Sequence, residues 1–194
     1  MIQVFDGVLA DPLAYRQAAL AHEFTSVETG PGVVFHGIST SVPATVPDWL
    51  VARFPSLQPT LSFFRKSPKG QDEPNFIHTD RDMGDWTAIL YLNPEPPKGD
   101  GTTFYQRTMT AARSSTSDTE DLLIVEWLDW RQRDLWQPWH RVDAAFNRLV
   151  VFTSSLFHAR SIPENYGEGD NARLIQLVFG KGELQPCASA PLQP

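Results

Sequence analysis

The sequence contains one cysteine, Cys187, among 194 residues. An intramolecular disulfide is therefore impossible, and a disulfide-stapled secreted scaffold is excluded. No run of about 18 apolar residues occurs, so no membrane-spanning helix is expected. Basic residues are scarce and scattered: 16 Lys and Arg stand against 23 Asp and Glu, a formal charge of −7. The electrostatic footprint of a nucleic-acid binder is missing, and a charge of this sign and size mainly favours solubility. The opening MIQVFDGVLADPLAYRQ has no basic stretch followed by an apolar one, so no signal peptide is expected. These absences together lead to the expectation of a cytoplasmic protein with neither membrane nor nucleic acid as partner. Oligomeric state is not legible.

What the chain does have is aromatic residues and turn formers. Twelve Phe, six Trp and four Tyr suit a large core or a ring-lined pocket, and 16 Pro with 12 Gly suit many short strands. Residues 2–5 read as a strand and Asp6-Gly7 as a turn. Asp11 and Pro12 supply an N-cap and a first helical residue. The helix is expected to run to about His22, with Leu13, Ala14, Ala18 and Ala21 against a sheet. Beyond residue 30 the pattern becomes β-like. Strands are expected at 60–66, with Leu61, Phe63 and Arg65 on one face, and at 86–92, 101–106, 148–153 and 173–179. The run LLIVEWLDW within 119–133 is compatible with helix or strand, and helix is the reading adopted. The Trp group 127, 130, 136 and 139 is read as a core layer rather than a cleft lining. The fold class is mainly β with one or two flanking helices, a small barrel or sandwich. A single domain is expected: an N-terminal support over 1–58, a core over 59–183 with an inserted segment at 107–146, and a flexible tail at 184–194.

One segment carries chemistry. Residues 75–80 read NFIHTD, and His78 and Asp80 are two apart. On an extended backbone both side chains leave one face, so an imidazole nitrogen and a carboxylate oxygen can reach one ion. His158, just beyond the strand at 148–153, is placed to add a third ligand from a neighbouring strand. Two histidines and one carboxylate on one side of a metal leave coordination positions open, the ligand set of an oxygen-using iron(II) centre. Arg173 opens the strand RLIQLVF on the face of Ile175, Leu177 and Phe179. An inward Arg needs an anionic partner, because an unpaired buried charge is costly. The distal carboxylate of a dicarboxylate would satisfy it in bidentate fashion.

HTD, a downstream His and a later strand opening with Arg resemble the 2-oxoglutarate/iron(II) dioxygenases. The opening VFDGVLADPLAYRQAAL resembles the leading strand and helix of their prolyl-hydroxylase-like branch, and GTTFY the strand that follows the HxD strand pair there. The resemblance implies a double-stranded β-helix, a jelly-roll or cupin-like barrel, with iron(II), 2-oxoglutarate and O₂ as cofactor and cosubstrates. It implies His78, Asp80 and His158 as metal ligands and Arg173 as the cosubstrate anchor. Tyr91 is implied as a hydroxyl near the cosubstrate. Arg65 is a further candidate for the cosubstrate, or for a carboxylate such as Asp82. The implied activity couples oxidative decarboxylation of 2-oxoglutarate to hydroxylation. The retained Asp80 favours hydroxylation over halogenation, because the related halogenases lack that carboxylate.

The chain departs from this pattern in spacing: Arg173 lies fifteen residues beyond His158, across the loop IPENYGEGDNA, whereas about ten is usual. Arg160, in HAR, is nearer and is read as facing substrate. Glu164, Asn165 and Tyr166 are read as surface loop, with a lid as the alternative. Asn75 is read as a turn or pocket residue. His140, in WQPWH, is read as structural or substrate-contacting rather than a ligand, and His22 and His36 as surface or core histidines. Two other classes compete: a cupin-like metal-dependent isomerase or lyase, and a non-catalytic binding module on the same fold. The substrate class stays open between a small molecule and an amino acid or peptide.

Overall fold

WTAILY, residues 86–91, is apolar at every position but one, as suits a strand covered on both faces. The computed structural model describes residues 1–30, 33–71, 77–108, 111–114, 135–162 and 164–185, and places this strand, Trp86–Tyr91, fully buried at the centre of the fold. Trp86, Ala88 and Leu90 pack toward the helices, while Ile89 and Tyr91 pack toward a second sheet.

In chain order the elements are β1 (Ile2–Asp6), α1 (Pro12–Leu20), β2 (Thr25–Gly30), β3 (Val33–Ser39), α2 (Thr45–Arg53), β4 (Gln58–Ser67), β5 (Trp86–Tyr91), β6 (Gly101–Arg107), β7 (Trp136–Asp143), β8 (Arg148–Thr153), β9 (His158–Arg160) and β10 (Arg173–Lys181). A seven-stranded sheet runs β1-β8-β5-β10-β4-β3-β2, and a three-stranded sheet runs β7-β6-β9. All named pairings are antiparallel. A bridge from His78 to His158 extends the smaller sheet by one more strand position. The two sheets face each other across Ile89, Tyr91, Phe104, Val142, Val150, Phe152, Leu156 and Ile175. This is the expected double-stranded β-helix.

The first helix begins as expected. The Asp11 carboxylate accepts a hydrogen bond from the Ala14 amide at 3.0 Å, and Pro12 occupies the first turn. Its buried face is not the expected one. Leu13 is 56% exposed, whereas Ala19 is buried and Tyr15 and Leu20 pack beside it. In an alanine-rich helix several stripes are similarly apolar, so the largest anchored side chain decides the rotation. Tyr15 is that anchor: its ring meets Phe64 edge-on at 5.9 Å and its hydroxyl donates to Gln176 at 2.6 Å. The second helix places Val46 and Leu50, four apart, in the same core.

Two boundaries differ from expectation. Residues 136–143, assigned to an inserted segment, form β7 and pair with β6 along its length. WQPWHRVD reads poorly as a strand because Pro138 sits in it; the structure accommodates Pro138 on an edge strand, beside a register shift. Leu184, assigned to the tail, is buried at 7% exposure in the helix-side core. The expected helix at 119–133, Trp127, Trp130, Asn75 and Cys187 lie outside the described residues. Trp136 packs with Ile77, Tyr105, Phe157 and Ala159, and Trp139 against the core between the sheets, in keeping with the core reading of those two. Among the described residues, no helix is long and apolar enough to cross a membrane.

Candidate metal centre and adjoining pocket

The short bridge at His78 brings the centre together. The His78 amide donates to the His158 carbonyl at 3.0 Å, and the His158 amide donates to the His78 carbonyl at 2.9 Å. Two residues on, the Asp80 amide donates to the Ser154 carbonyl at 2.8 Å. Pairing of this kind turns the three side chains to one side. The imidazole centroids are 4.5 Å apart. His78 Nε2 lies 3.5 Å from Asp80 Oδ1, and His158 Nε2 lies 3.2 Å from Asp80 Oδ2. One ligand atom from each residue fits within 4.8 Å of the others.

The donor set fits a metal by its surroundings as well as its distances. His158 Nδ1 is 2.9 Å from the Leu156 carbonyl, which holds that nitrogen as the donor and turns the Nε2 lone pair to the cluster. The Thr87 hydroxyl donates to Asp80 Oδ2 at 2.9 Å and lies 2.9 Å from Ser154 Oγ. Phe152 stands edge-on to the His158 ring at 4.7 Å, with Phe104 at 6.2 Å. Burial pushes the Asp80 carboxyl up, but the facing His158 and His78 rings outweigh it and hold the group well below the usual carboxylate range. The side chain of His78 is 32% exposed, against 11% for Asp80 and 5% for His158, so the cluster opens on the His78 side.

The other expected site residues lie on one face of the large sheet. Arg65 and Tyr91 stand on either side of Ile175, and Arg173 is two residues along the same strand, on the same face. The Arg65 guanidinium lies over the Phe35 ring at 5.1 Å. The Tyr91 hydroxyl is buried and 2.7 Å from Thr102 Oγ1, and burial raises it above its usual range. Arg173 is inward and buried, as alternation requires, and the protein itself supplies an anionic partner. Its Nε donates toward both oxygens of the buried Asp100, at 3.2 and 3.3 Å. Burial alone would depress the guanidinium, but the Asp100 charge reverses this and keeps Arg173 protonated.

The sequence did not single out Thr87, Ser154, Thr102 or Asp100. Asp100 sits in PKGDG, which reads as an exposed turn, and nothing local marks its carboxylate as buried. Tyr166 is tied down rather than loose: its hydroxyl donates to Asp100 Oδ2 at 2.8 Å. Arg160 shares the His158 face of its strand, and its Nε donates to the Ile162 carbonyl at 2.8 Å while Nη1 donates to Asn165 Oδ1. His140 is exposed beside Phe104 and Trp139, His36 meets Ser26 at 2.7 Å, and His22 stacks on Phe64. None of these three joins the cluster.

The two histidines and the aspartate thus meet at the end of a short strand pair on a double-stranded β-helix. Comparison with solved structures agrees on the fold. The chain is similar to SnoK, a non-haem alpha-ketoglutarate-dependent carbocyclase from nogalamycin biosynthesis, with a TM-score of 0.55 and 14% identity over 93% of this chain and 79% of that one. It is similar to HygX from Streptomyces hygroscopicus, crystallised with nickel and 2-oxoglutarate, with a TM-score of 0.53 and 14% identity over 91% and 81% of the two chains. It is also similar to a Pseudomonas putida prolyl-4-hydroxylase, with a TM-score of 0.51 and 18% identity over 94% and 92%. The sequence matches no protein-family model and no curated protein sequence.

Proposed function

We propose that this protein is an iron(II)- and 2-oxoglutarate-dependent oxidoreductase, and that its reaction is hydroxylation of a small molecule or of an amino-acid or peptide substrate. One observation carries the reading: His78, Asp80 and His158 present one ligand atom each within 4.8 Å, on the fold that 2-oxoglutarate-dependent enzymes share. His78, Asp80 and His158 would hold the metal, and the set suits iron(II) with positions left for cosubstrate and O₂. When bound, iron and 2-oxoglutarate supply oxidising power sufficient for an unactivated C–H bond. The chain contributes orientation and dryness. Thr87 and the Leu156 carbonyl fix two ligands, and Phe152 and Phe104 shield the His158 side from water.

Thr87 and Tyr91 both face inward on β5, four residues or roughly 13 Å of strand apart. Thr87 touches the ligand Asp80, and Tyr91 stands in the row beside Arg173. Arg173, on the same face, would be the cation offered to the distal carboxylate of a bound dicarboxylate. Retention of the carboxylate of Asp80 favours hydroxylation. Among its structural neighbours, an epimerase and a carbocyclase are described as dependent on the same cosubstrate, which makes rearrangement without net oxygen insertion the second reading.

The test is anaerobic iron(II) binding followed by aerobic turnover of 2-oxoglutarate to succinate. His78→Ala should abolish metal binding, whereas His140→Ala should leave it intact. Metal binding that survives in His78→Ala ends the assignment. Incorporation of oxygen from ¹⁸O₂ into the product separates hydroxylation from rearrangement.

A further inference from the structure

The buried pair of Arg173 and Asp100 is more completely built than a simple ion pair. The Asp100 carboxylate is fixed by three donors. Oδ1 accepts from the Gly101 amide at 2.8 Å, Oδ2 accepts from the Tyr166 hydroxyl at 2.8 Å, and both oxygens face Arg173 Nε. A guanidinium has five N–H donors, and here the carboxylate takes the Nε donor alone. Among the described residues, Nη1 and Nη2 of Arg173 make no hydrogen bond. Arg173 shares its face of β10 with Ile175, which packs between the two sheets, so the guanidinium belongs to the interior of the barrel.

We propose that Asp100 is a specificity-determining residue for the cosubstrate: a fixed internal counter-ion that neutralises Arg173 while leaving its Nη edge for the distal carboxylate. This rests on the 2-oxoglutarate reading above. The pair has no net charge before cosubstrate arrives. The distal carboxylate then gains hydrogen bonds from the Nη edge, but it also approaches a second carboxylate held on the same guanidinium. Two such charges ~6 Å apart, at an effective dielectric of ~20, repel by an amount equal to about a hundredfold in binding. Asp100 therefore lowers the advantage of a charged distal group over a neutral one of the same shape.

The experiment uses the full chain loaded with iron(II) under anaerobic conditions and titrated calorimetrically. Three ligands are compared: 2-oxoglutarate, its neutral 5-amide 2-oxoglutaramate, and 2-oxopentanoate, which carries a methyl group where the distal carboxylate would be. In the wild type the 5-amide should bind within about tenfold of 2-oxoglutarate, because a neutralised guanidinium discriminates weakly by charge. A preference for the diacid of about a hundredfold or more overturns the inference, and that measurement involves no variant. In Asp100→Asn, which keeps an acceptor for Nε and removes the charge, the preference for 2-oxoglutarate over 2-oxopentanoate should rise about a hundredfold. A preference that stays the same or falls also overturns it, since a merely structural or orienting Asp100 predicts no gain. If the wild type binds none of the three acids, the parent reading fails. If it binds them without the expected ratios, only the role of Asp100 fails.

Discussion

Thr87→Val isolates the support of one candidate metal ligand. Thr87 is the first inward residue of β5, paired with Phe179 on β10 and Phe152 on β8. Its hydroxyl donates to Asp80 Oδ2 at 2.9 Å in a part-buried setting, and valine replaces that hydroxyl with a methyl of similar size. A hydrogen bond to a charged group contributes roughly 1.5–3 kcal/mol. Asp80 keeps its two imidazole neighbours and the backbone bond to Ser154, so metal-free stability should fall by about 1.5–2 kcal/mol, the lower part of that range. Metal affinity should fall further, because the carboxylate is then free to rotate out of its ligating position. Outer partners of this kind are typically worth about 10–100-fold in affinity. Thr87→Ser retains the hydroxyl and should recover most of the loss. Anaerobic competition for iron(II) against a chromophoric chelator gives the affinity, and urea unfolding of the metal-free protein gives the stability. Unchanged affinity alongside the expected stability loss would refute the argument, leaving the histidines and backbone as sufficient to orient Asp80.

Asn147 adopts φ +61°, and its side chain holds the backbone of Leu9 at both ends, accepting from the amide at 2.8 Å and donating to the carbonyl at 2.9 Å. Asn147→Ala should cost about 2–4 kcal/mol in urea unfolding, and Asn147→Gly should recover roughly 1 kcal/mol of it by relieving the backbone; equal losses would place the whole effect in the hydrogen bonds. At the first strand, the hydrogen bonds from Arg148 to Asp6, at 2.6 and 2.9 Å, hold the Asp6 carboxyl below its ordinary value, against an opposing effect of burial and with a lesser contribution from the Arg148 charge. The folded state therefore binds that proton more weakly than the unfolded chain, so the contribution is present above about pH 4 and disappears as pH falls through the folded-state value. The Asp6 side chain is 65% exposed. Asp6→Asn should therefore lower stability by at most about 1 kcal/mol at neutral pH. That difference should vanish once pH has fallen below the folded-state value of Asp6, and one that persists there contradicts the linkage.

Much of the barrel was legible because its strands carry two kinds of unambiguous pattern. WTAILY is apolar enough to be buried on both faces, and RLVVFT and RLIQLVF are too short and too β-branched for helices of their own. Elements failed where the deciding contact is tertiary. The rotation of α1 was set by Tyr15 reaching Gln176, 161 residues away, and no helical period within PLAYRQAAL encodes that partner. β7 was hidden because Pro138 and two exposed charges suppress its strand character. An edge strand tolerates all three, since its outer amides pair with nothing in the sheet.

The site shows the same division more sharply. His78 and Asp80 were recoverable because two residues of extended backbone fix their relation, and His158 because a strand end placed it nearby. The rule applied to Arg173 was also sound: an inward guanidinium requires an anion. Physics specifies the charge of that partner and not its source. A bound dicarboxylate and a buried aspartate satisfy the requirement equally well in one dimension, and only the turn that folds Asp100 under Tyr166 distinguishes them. The two answers are also compatible, because Nε and the Nη edge are separate donors on one plane. If a ligand answers at the Nη edge the charge that the fold already answers at Nε, a single buried carboxylate would set the selectivity of that guanidinium.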